Sequence, residues 1–226
     1  MTRSAFQVLV AGARVLEERH GRAKVLLLPD GDIVKLFNMR PRPSGALIYP
    51  YSLRFRRNAR QLSKRGILSV EVRHVFFCPS ERAHGVIYPL LPGRTLLEML
   101  AEDSEPSRYA ARVGSFVADL HARGIYFRAL HPGNILVTSD GRLALIDVGD
   151  VRFRSGALRD GLRVRNFRHL VRRRAHAEQM VRMGPDAFVS AYLDAAGISG
   201  ARRRRLERRL FPSSAENEMD SRSTPS

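Results

Sequence analysis

Apolar residues recur in short bursts along the first part of the chain and at helical spacing along most of the rest. Residues 24–28 and 33–37 are two such bursts, set on either side of Pro29-Asp30-Gly31-Asp32. An Asp-Gly pair between strand-like runs predicts an antiparallel hairpin, because glycine accepts the positive φ that a tight turn demands. Residues 39–51 carry Pro41, Pro43 and Pro50 and predict an irregular connection. From 51 to 65, Leu53, Phe55, Ala59 and Leu62 fall on one helical face with arginines between them, and Gly66 ends the run. That pattern predicts an amphipathic helix. Residues 70–77 and 85–89 predict two further strands around a polar turn at 79–84.

Leu91-Pro92-Gly93 then breaks the pattern, and Leu96, Leu97, Met99 and Leu100 bring in a helical period. Pro106 is placed to open a long helix with an apolar stripe of Tyr109, Val113, Phe116, Val117 and Leu120, ending near Gly124. Residues 135–137 and 143–146 predict a strand pair around Asp140-Gly141, and 166–183 and 185–196 predict closing helices. The expected organisation is a first lobe at 1–91 of sheet plus one helix, a mainly helical second lobe at 92–211, and a Ser-, Glu- and Pro-rich disordered tail at 212–226. This is an α+β arrangement with no internal repeat.

Composition supports a folded chain: 226 residues are enough to bury a core, and 44% are hydrophobic. Charge narrows the partners. The 39 basic residues exceed the 22 acidic ones, a formal net charge of +17 that attracts polyanions. Only Lys24, Lys35 and Lys64 are lysine, so the excess is arginine. Arginine clusters at 54–57, 172–174 and 202–205 suit glycolipid phosphates or anionic membrane headgroups. The scarcity of aromatics among them argues against single-stranded nucleic acid. The single Cys78 excludes an intrachain disulfide and a Cys-rich zinc site, and fits a reducing compartment. No apolar run has the length of a secretion signal or a transmembrane helix, so the expected location is cytoplasmic, peripheral at the inner membrane.

Candidate chemistry gathers in Phe127-Arg128-Ala129-Leu130-His131-Pro132-Gly133-Asn134-Ile135-Leu136, followed after the predicted hairpin by Ile146-Asp147-Val148-Gly149. A side-chain amide and a carboxylate on the two flanks of one hairpin can share a cation, and hard oxygen ligands suit magnesium. Lys35, inside the apolar run Ile33-Val34-Lys35-Leu36-Phe37, calls for an anionic partner.

These segments resemble the kinase catalytic loop H-R-D-L-x-x-x-N and the metal-binding D-F-G. The wording Leu-His-Pro-Gly-Asn-Ile-Leu is similar to kinases of the aminoglycoside phosphotransferase type and to the bacterial lipopolysaccharide core kinases, the heptose and Kdo kinases. The resemblance implies a two-lobed protein-kinase-like fold with a small antiparallel-sheet lobe and a helical lobe. It also implies ATP as donor, Mg2+ as cofactor and a sugar hydroxyl of a glycolipid core as acceptor. By the same resemblance Lys35 would hold the nucleotide phosphates and Asn134 and Asp147 the metal. Leu90 and Leu91, with Pro92, would line the adenine edge, and His131 would face the transferred phosphate.

The sequence departs from that pattern at four places. Ala129 stands where the catalytic loop carries its aspartate base, and Phe127 replaces the preceding histidine. Asn58 takes the helix position expected to supply a glutamate partner for Lys35, and the first lobe has no G-x-G-x-x-G. Asp150 and His131 are the residues left to take over the base. His121 is expected to order the loop. Three classes stay open: a divergent kinase, a nucleotide-binding pseudokinase with a regulatory or scaffold role, and a basic nucleic-acid-binding module.

Overall fold

The computed structural model describes residues 1–39 and 50–210. The expectations for the connection centred on Pro41 and Pro43 and for the tail at 212–226 lie outside the described residues. The chain divides into two compact units, one formed by Met1–Gly93 with Ala144–Asp150, the other by Arg94–Leu143 with the chain from Val151 onward.

In the first unit the apolar bursts become a five-stranded antiparallel sheet. Its strands are β1 (Arg14–Arg19), β2 (Arg22–Leu27), β3 (Asp32–Asn38), β4 (His74–Cys78) and β5 (Ala83–Pro89), in the order β1-β2-β3-β5-β4. The hairpin expected at Asp30-Gly31 joins β2 to β3. Gly31 takes φ +88°, and the Leu28 amide donates to the Asp32 carbonyl at 2.8 Å. Arg73 grips the Asp32 carboxylate with two bonds of 2.9 and 3.0 Å.

Two elements depart from the sequence reading. Arg3–Val10 is helix α1, because Phe6, Leu9 and Val10 repeat at helical spacing and pack on Leu26, Leu28, Val34 and Phe76. The strand expected from Val70 begins only at His74. The chain before it turns instead to Leu145, whose amide donates to the Leu68 carbonyl while its carbonyl accepts from the Ser69 hydroxyl at 2.8 Å. Helix α2 (Tyr51–Lys64) forms where predicted and buries Phe55, Asn58, Ala59 and Leu62.

The second unit is mainly helical. After β6 (Gly93–Thr95), helix α3 (Leu96–Glu102) starts on a capping box in which Thr95 and Glu98 satisfy each other's backbone amides. The predicted Pro106 helix opens as a 3-10 turn, Pro106–Tyr109, before α4 (Ala110–Ala122). Strands β7 (Ile125–Phe127) and β10 (Val151–Phe153) pair antiparallel. Between them along the chain come β8 (Ile135–Thr138) and β9 (Leu143–Leu145), around the Asp140-Gly141 turn.

The closing stretch predicted as two helices is α5 (Asp160–Leu170), α6 (Arg174–Met183) and α7 (Pro185–Ala195). A further helix, α8 (Gly200–Leu210), follows. Gly114 lets α4 reach α7, since a Cβ there would stand 2.6 Å from the Phe188 carbonyl oxygen. Helix α8 is seated by buried Leu206 and Leu210 and tied by Arg202 to Asp160 and by Arg203 to Asp194. No helix among the described residues is long and apolar enough to cross a membrane.

Candidate functional site

The β-sheet register sets Lys35 between Val25 on β2 and Val86 on β5. Its ammonium meets Asp147 at 3.1 Å, with the lysine side chain 13% and the carboxylate 39% exposed. An ammonium this far from water calls for an anionic partner, and Asp147 supplies it. Asp147 is reached by a sharp turn: its φ of +53° lies in the left-handed region, which side chains other than glycine seldom adopt. Burial first, then the Asp147 charge, pushes the Tyr88 phenol up.

Asn58, at the helix position of the missing glutamate, turns its amide nitrogen to the chain that follows Asp147. It is 3% exposed, and its Nδ2 donates to the carbonyls of Val148 and Gly149 at 2.8 and 3.1 Å. Asp150, one of the two candidate bases, is engaged by the same helix: Arg54 approaches its Oδ1 at 3.4 Å, and the Tyr51 side chain hydrogen-bonds to it. Burial first, then the charges of Asp150 and Asp147, raises the Tyr51 phenol, so it donates as a neutral hydroxyl. Leu90 is exposed at the end of β5, its amide donating to the Gly31 carbonyl at 3.3 Å, and Leu91 beside it is half-buried. Lys35, Asp147, Asp150, Leu90 and Leu91 thus all belong to the first unit.

Ala129, His131 and Asn134 belong to the second unit. The buried Asn134 ends a 3-10 turn, Pro132–Asn134, and its Nδ2 donates to the Ala129 carbonyl at 2.9 Å. That bond closes the loop and turns the amide oxygen, a hard ligand, away from Ala129. Ala129 contributes a methyl group and a backbone carbonyl, with no group that can take a proton. The His131 ring stacks on His176 with centroids 4.5 Å apart and planes 19° apart. Burial first, then Arg173, lowers the His176 imidazole.

The start of this loop is fixed by a residue that the sequence did not single out. Asn166 on α5 receives the Phe127 amide at 3.3 Å and donates to the Phe127 carbonyl at 2.7 Å. This assigns the Asn166 oxygen as an acceptor, so His121 Nε2, 3.2 Å from it, carries the proton. His121 Nδ1 then accepts from the Tyr192 hydroxyl at 2.9 Å, which itself accepts from Arg163 at 2.7 Å. Burial first, then Arg163, pushes the His121 imidazole down to about 3, so it stays neutral and structural, as its sequence context suggested. Tyr51, Asn166 and Tyr192 were missed because each acts through a contact far away in sequence, and Arg54, read as part of a basic cluster, reaches Asp150 instead.

The residues present fit a magnesium nucleotide in their chemistry. In the first unit Asp147 offers a partly exposed carboxylate 3.1 Å from the Lys35 ammonium, and in the second unit Asn134 carries an amide oxygen. Among the described residues no group of three or more His, Cys, Asp or Glu side chains could hold a metal ion by itself. A cation held by Asp147 would need further oxygen ligands from outside such a cluster.

The lipopolysaccharide kinase (Kdo/WaaP) family matches residues 60–192, a span that includes the 129–134 loop and Asp147. A probable cAMP-dependent protein kinase catalytic subunit of Encephalitozoon cuniculi (strain GB-M1) is 51% identical over 41 residues, 18% of this chain and 13% of that protein. A co-crystal structure of WbdD and the kinase inhibitor LY294002 superposes with a TM-score of 0.50 at 16% identity, covering 92% of this chain. This chain spans only 49% of that one, so it is about half its length. The likeness shows the fold, an α+β protein-kinase-like one with an antiparallel-sheet part and a helical part. With more than half of its residues matched, the chain belongs to the lipopolysaccharide kinase (Kdo/WaaP) family.

Proposed function

We propose that this protein is an ATP- and Mg2+-dependent phosphotransferase acting on a sugar hydroxyl of the lipopolysaccharide core. The observation that carries the reading is the Lys35–Asp147 pair at 3.1 Å, a fixed cation beside a hard anionic ligand. Lys35 would hold the nucleotide phosphates and Leu90 and Leu91 the adenine edge. Asp147 and Asn134 would hold magnesium, which would neutralise the charge of the phosphates. His131 would serve the transferred group. The lobes would be 1–91 and 92–211.

Phosphoryl transfer rests mainly on positioning and charge neutralisation, and a general base contributes about 10²- to 10⁴-fold. Ala129 therefore slows the reaction without forbidding it. Asp150, held by Arg54 and Tyr51, and His131 are the residues that would assist the acceptor hydroxyl. The acceptor chemistry is drawn from the family, and the arginine surface is in keeping with it. On α8 Arg204, Arg208 and Arg209 are exposed, a set of cations suited to glycolipid phosphates or the headgroups of a cytoplasmic membrane surface.

A second reading, a nucleotide-binding pseudokinase, is favoured by Ala129 alone. Thermal unfolding separates binding from none, since a ligand at one hundred times its dissociation constant stabilises by roughly 2.7 kcal/mol. A midpoint that rises with ATP and Mg2+ together supports both readings, and an unmoved one refutes both. Transfer of labelled phosphate to extracted lipopolysaccharide core then distinguishes the kinase from the pseudokinase.

A further inference from the structure

The three residues after Asp147 are each held by one face of α2. Tyr51, Arg54 and Asn58 stand at i, i+3 and i+7, the spacing that puts side chains in line along a helix. Asn58 spends its amide on the carbonyls of Val148 and Gly149 at 2.8 and 3.1 Å. The Tyr51 ring lies so close over Gly149 that a Cβ there would meet it at 2.0 Å. Tyr51 and Arg54 both engage the Asp150 carboxylate.

Asp147 itself sits at a φ of +53°, and such a backbone state persists in a non-glycine residue only where its surroundings over-determine it. Here the surroundings are supplied from α2. The requirement is chemical as well as steric, because the two carbonyls need a donor. The carboxylate expected at this helix position would set negative oxygens against carbonyl oxygens. An asparagine is the small side chain that can donate to both.

We infer that Asn58 is a positioning residue for the metal ligand: by holding the Val148 and Gly149 carbonyls it fixes the turn that presents Asp147 to a divalent cation. In this arrangement α2 acts on the metal ligand through the turn that follows it, where a helix-borne glutamate would act on Lys35. The inference rests on the proposed ATP and Mg2+ chemistry.

The test is ATP affinity by titration calorimetry, measured with Mg2+ and again with EDTA, for the full chain and its Asn58→Ala and Asn58→Ser variants. Residues that orient a metal ligand typically cost about 10- to 100-fold in metal affinity when removed. Asn58→Ala is expected to lose at least about tenfold in Mg2+-ATP affinity while its affinity in EDTA stays within about twofold of the parent. Asn58→Ser keeps one donor and falls between the two. Equal affinities in parent and variants, or an equal loss with Mg2+ and with EDTA, would overturn the inference while leaving the proposed chemistry standing. A parent that shows no Mg2+-dependent binding would overturn both. If Asn58→Ala does not fold, Gly149→Ala carries the same expectation, since its methyl drives the turn off the Tyr51 ring.

Discussion

Lys35 and Asp147 face each other at 3.1 Å, the ammonium set by the register of three strands and the carboxylate by a left-handed turn. Lys35→Met keeps the stem of the side chain and removes the charge. Loss of one fixed electrostatic contact to a reacting group costs about 10²- to 10³-fold in turnover. Phosphate transfer by Lys35→Met is expected to fall by that much, with the far-ultraviolet circular dichroism unchanged.

Ala129 offers a test by gain. The Asn134 amide already holds its carbonyl at 2.9 Å, and the residue is only half-buried, so a longer side chain needs no new backbone path. Ala129→Asp is expected to raise turnover by ten- to a hundredfold, the low end of what a general base supplies. An unchanged rate would show that Asp150 or His131 already does this work, or that the acceptor needs none.

The buried histidines make stability depend on pH. The His121 imidazole is lowered to about 3 by burial and by Arg163, whereas in the unfolded chain it titrates near its ordinary value of 6.5. Between those values the unfolded state binds more protons, so stability is complete above the unfolded pKa and is lost as the pH falls below it. His84, His169 and His176 are lowered too, each first by burial, and act in the same direction. Urea midpoints measured from pH 8 down to pH 5 are expected to fall below about pH 6.5, and His121→Gln is expected to flatten the slope.

The arginines of α8 divide into two sets. Arg202, Arg203 and Arg205 reach Asp160 and Asp194 and tie the helix down, while Arg204, Arg208 and Arg209 are exposed. Charge reversal of the exposed three, each to Glu, is expected to weaken sedimentation with anionic phospholipid vesicles at low salt and to leave unfolding by heat little changed. Each basic residue near such a surface contributes about 1 kcal/mol. Equal sedimentation of parent and variant would remove this surface as the contact.

Much of the fold is legible where the signal is local. Asp30-Gly31 announces its hairpin, Leu53, Phe55, Ala59 and Leu62 announce α2, and the loop wording announces the family. Helix α1 is missed because Phe6, Leu9 and Val10 are too few to separate helical from alternating spacing over so short a stretch. The early start expected for β4 fails because Ser69 prefers Leu145, a partner 76 positions away. The same holds at the candidate site. Lys35 and Asp147 carry their own motifs, but that Asn58 would serve two carbonyls cannot be read from Arg57-Asn58-Ala59. That role exists only because Ala144–Asp150 folds with the first unit.

The central claim is phosphate transfer that depends on Asp147. The most direct measurement incubates the full chain with ATP labelled at the terminal phosphate, Mg2+ and dephosphorylated lipopolysaccharide core, alongside Asp147→Ala. Label is expected in the glycolipid with the parent chain, absent with EDTA and reduced by at least about 10²-fold in the variant. Equal labelling by parent and Asp147→Ala would contradict the metal-ligand assignment, and no labelling by the parent, with ATP still bound, would make the protein a pseudokinase.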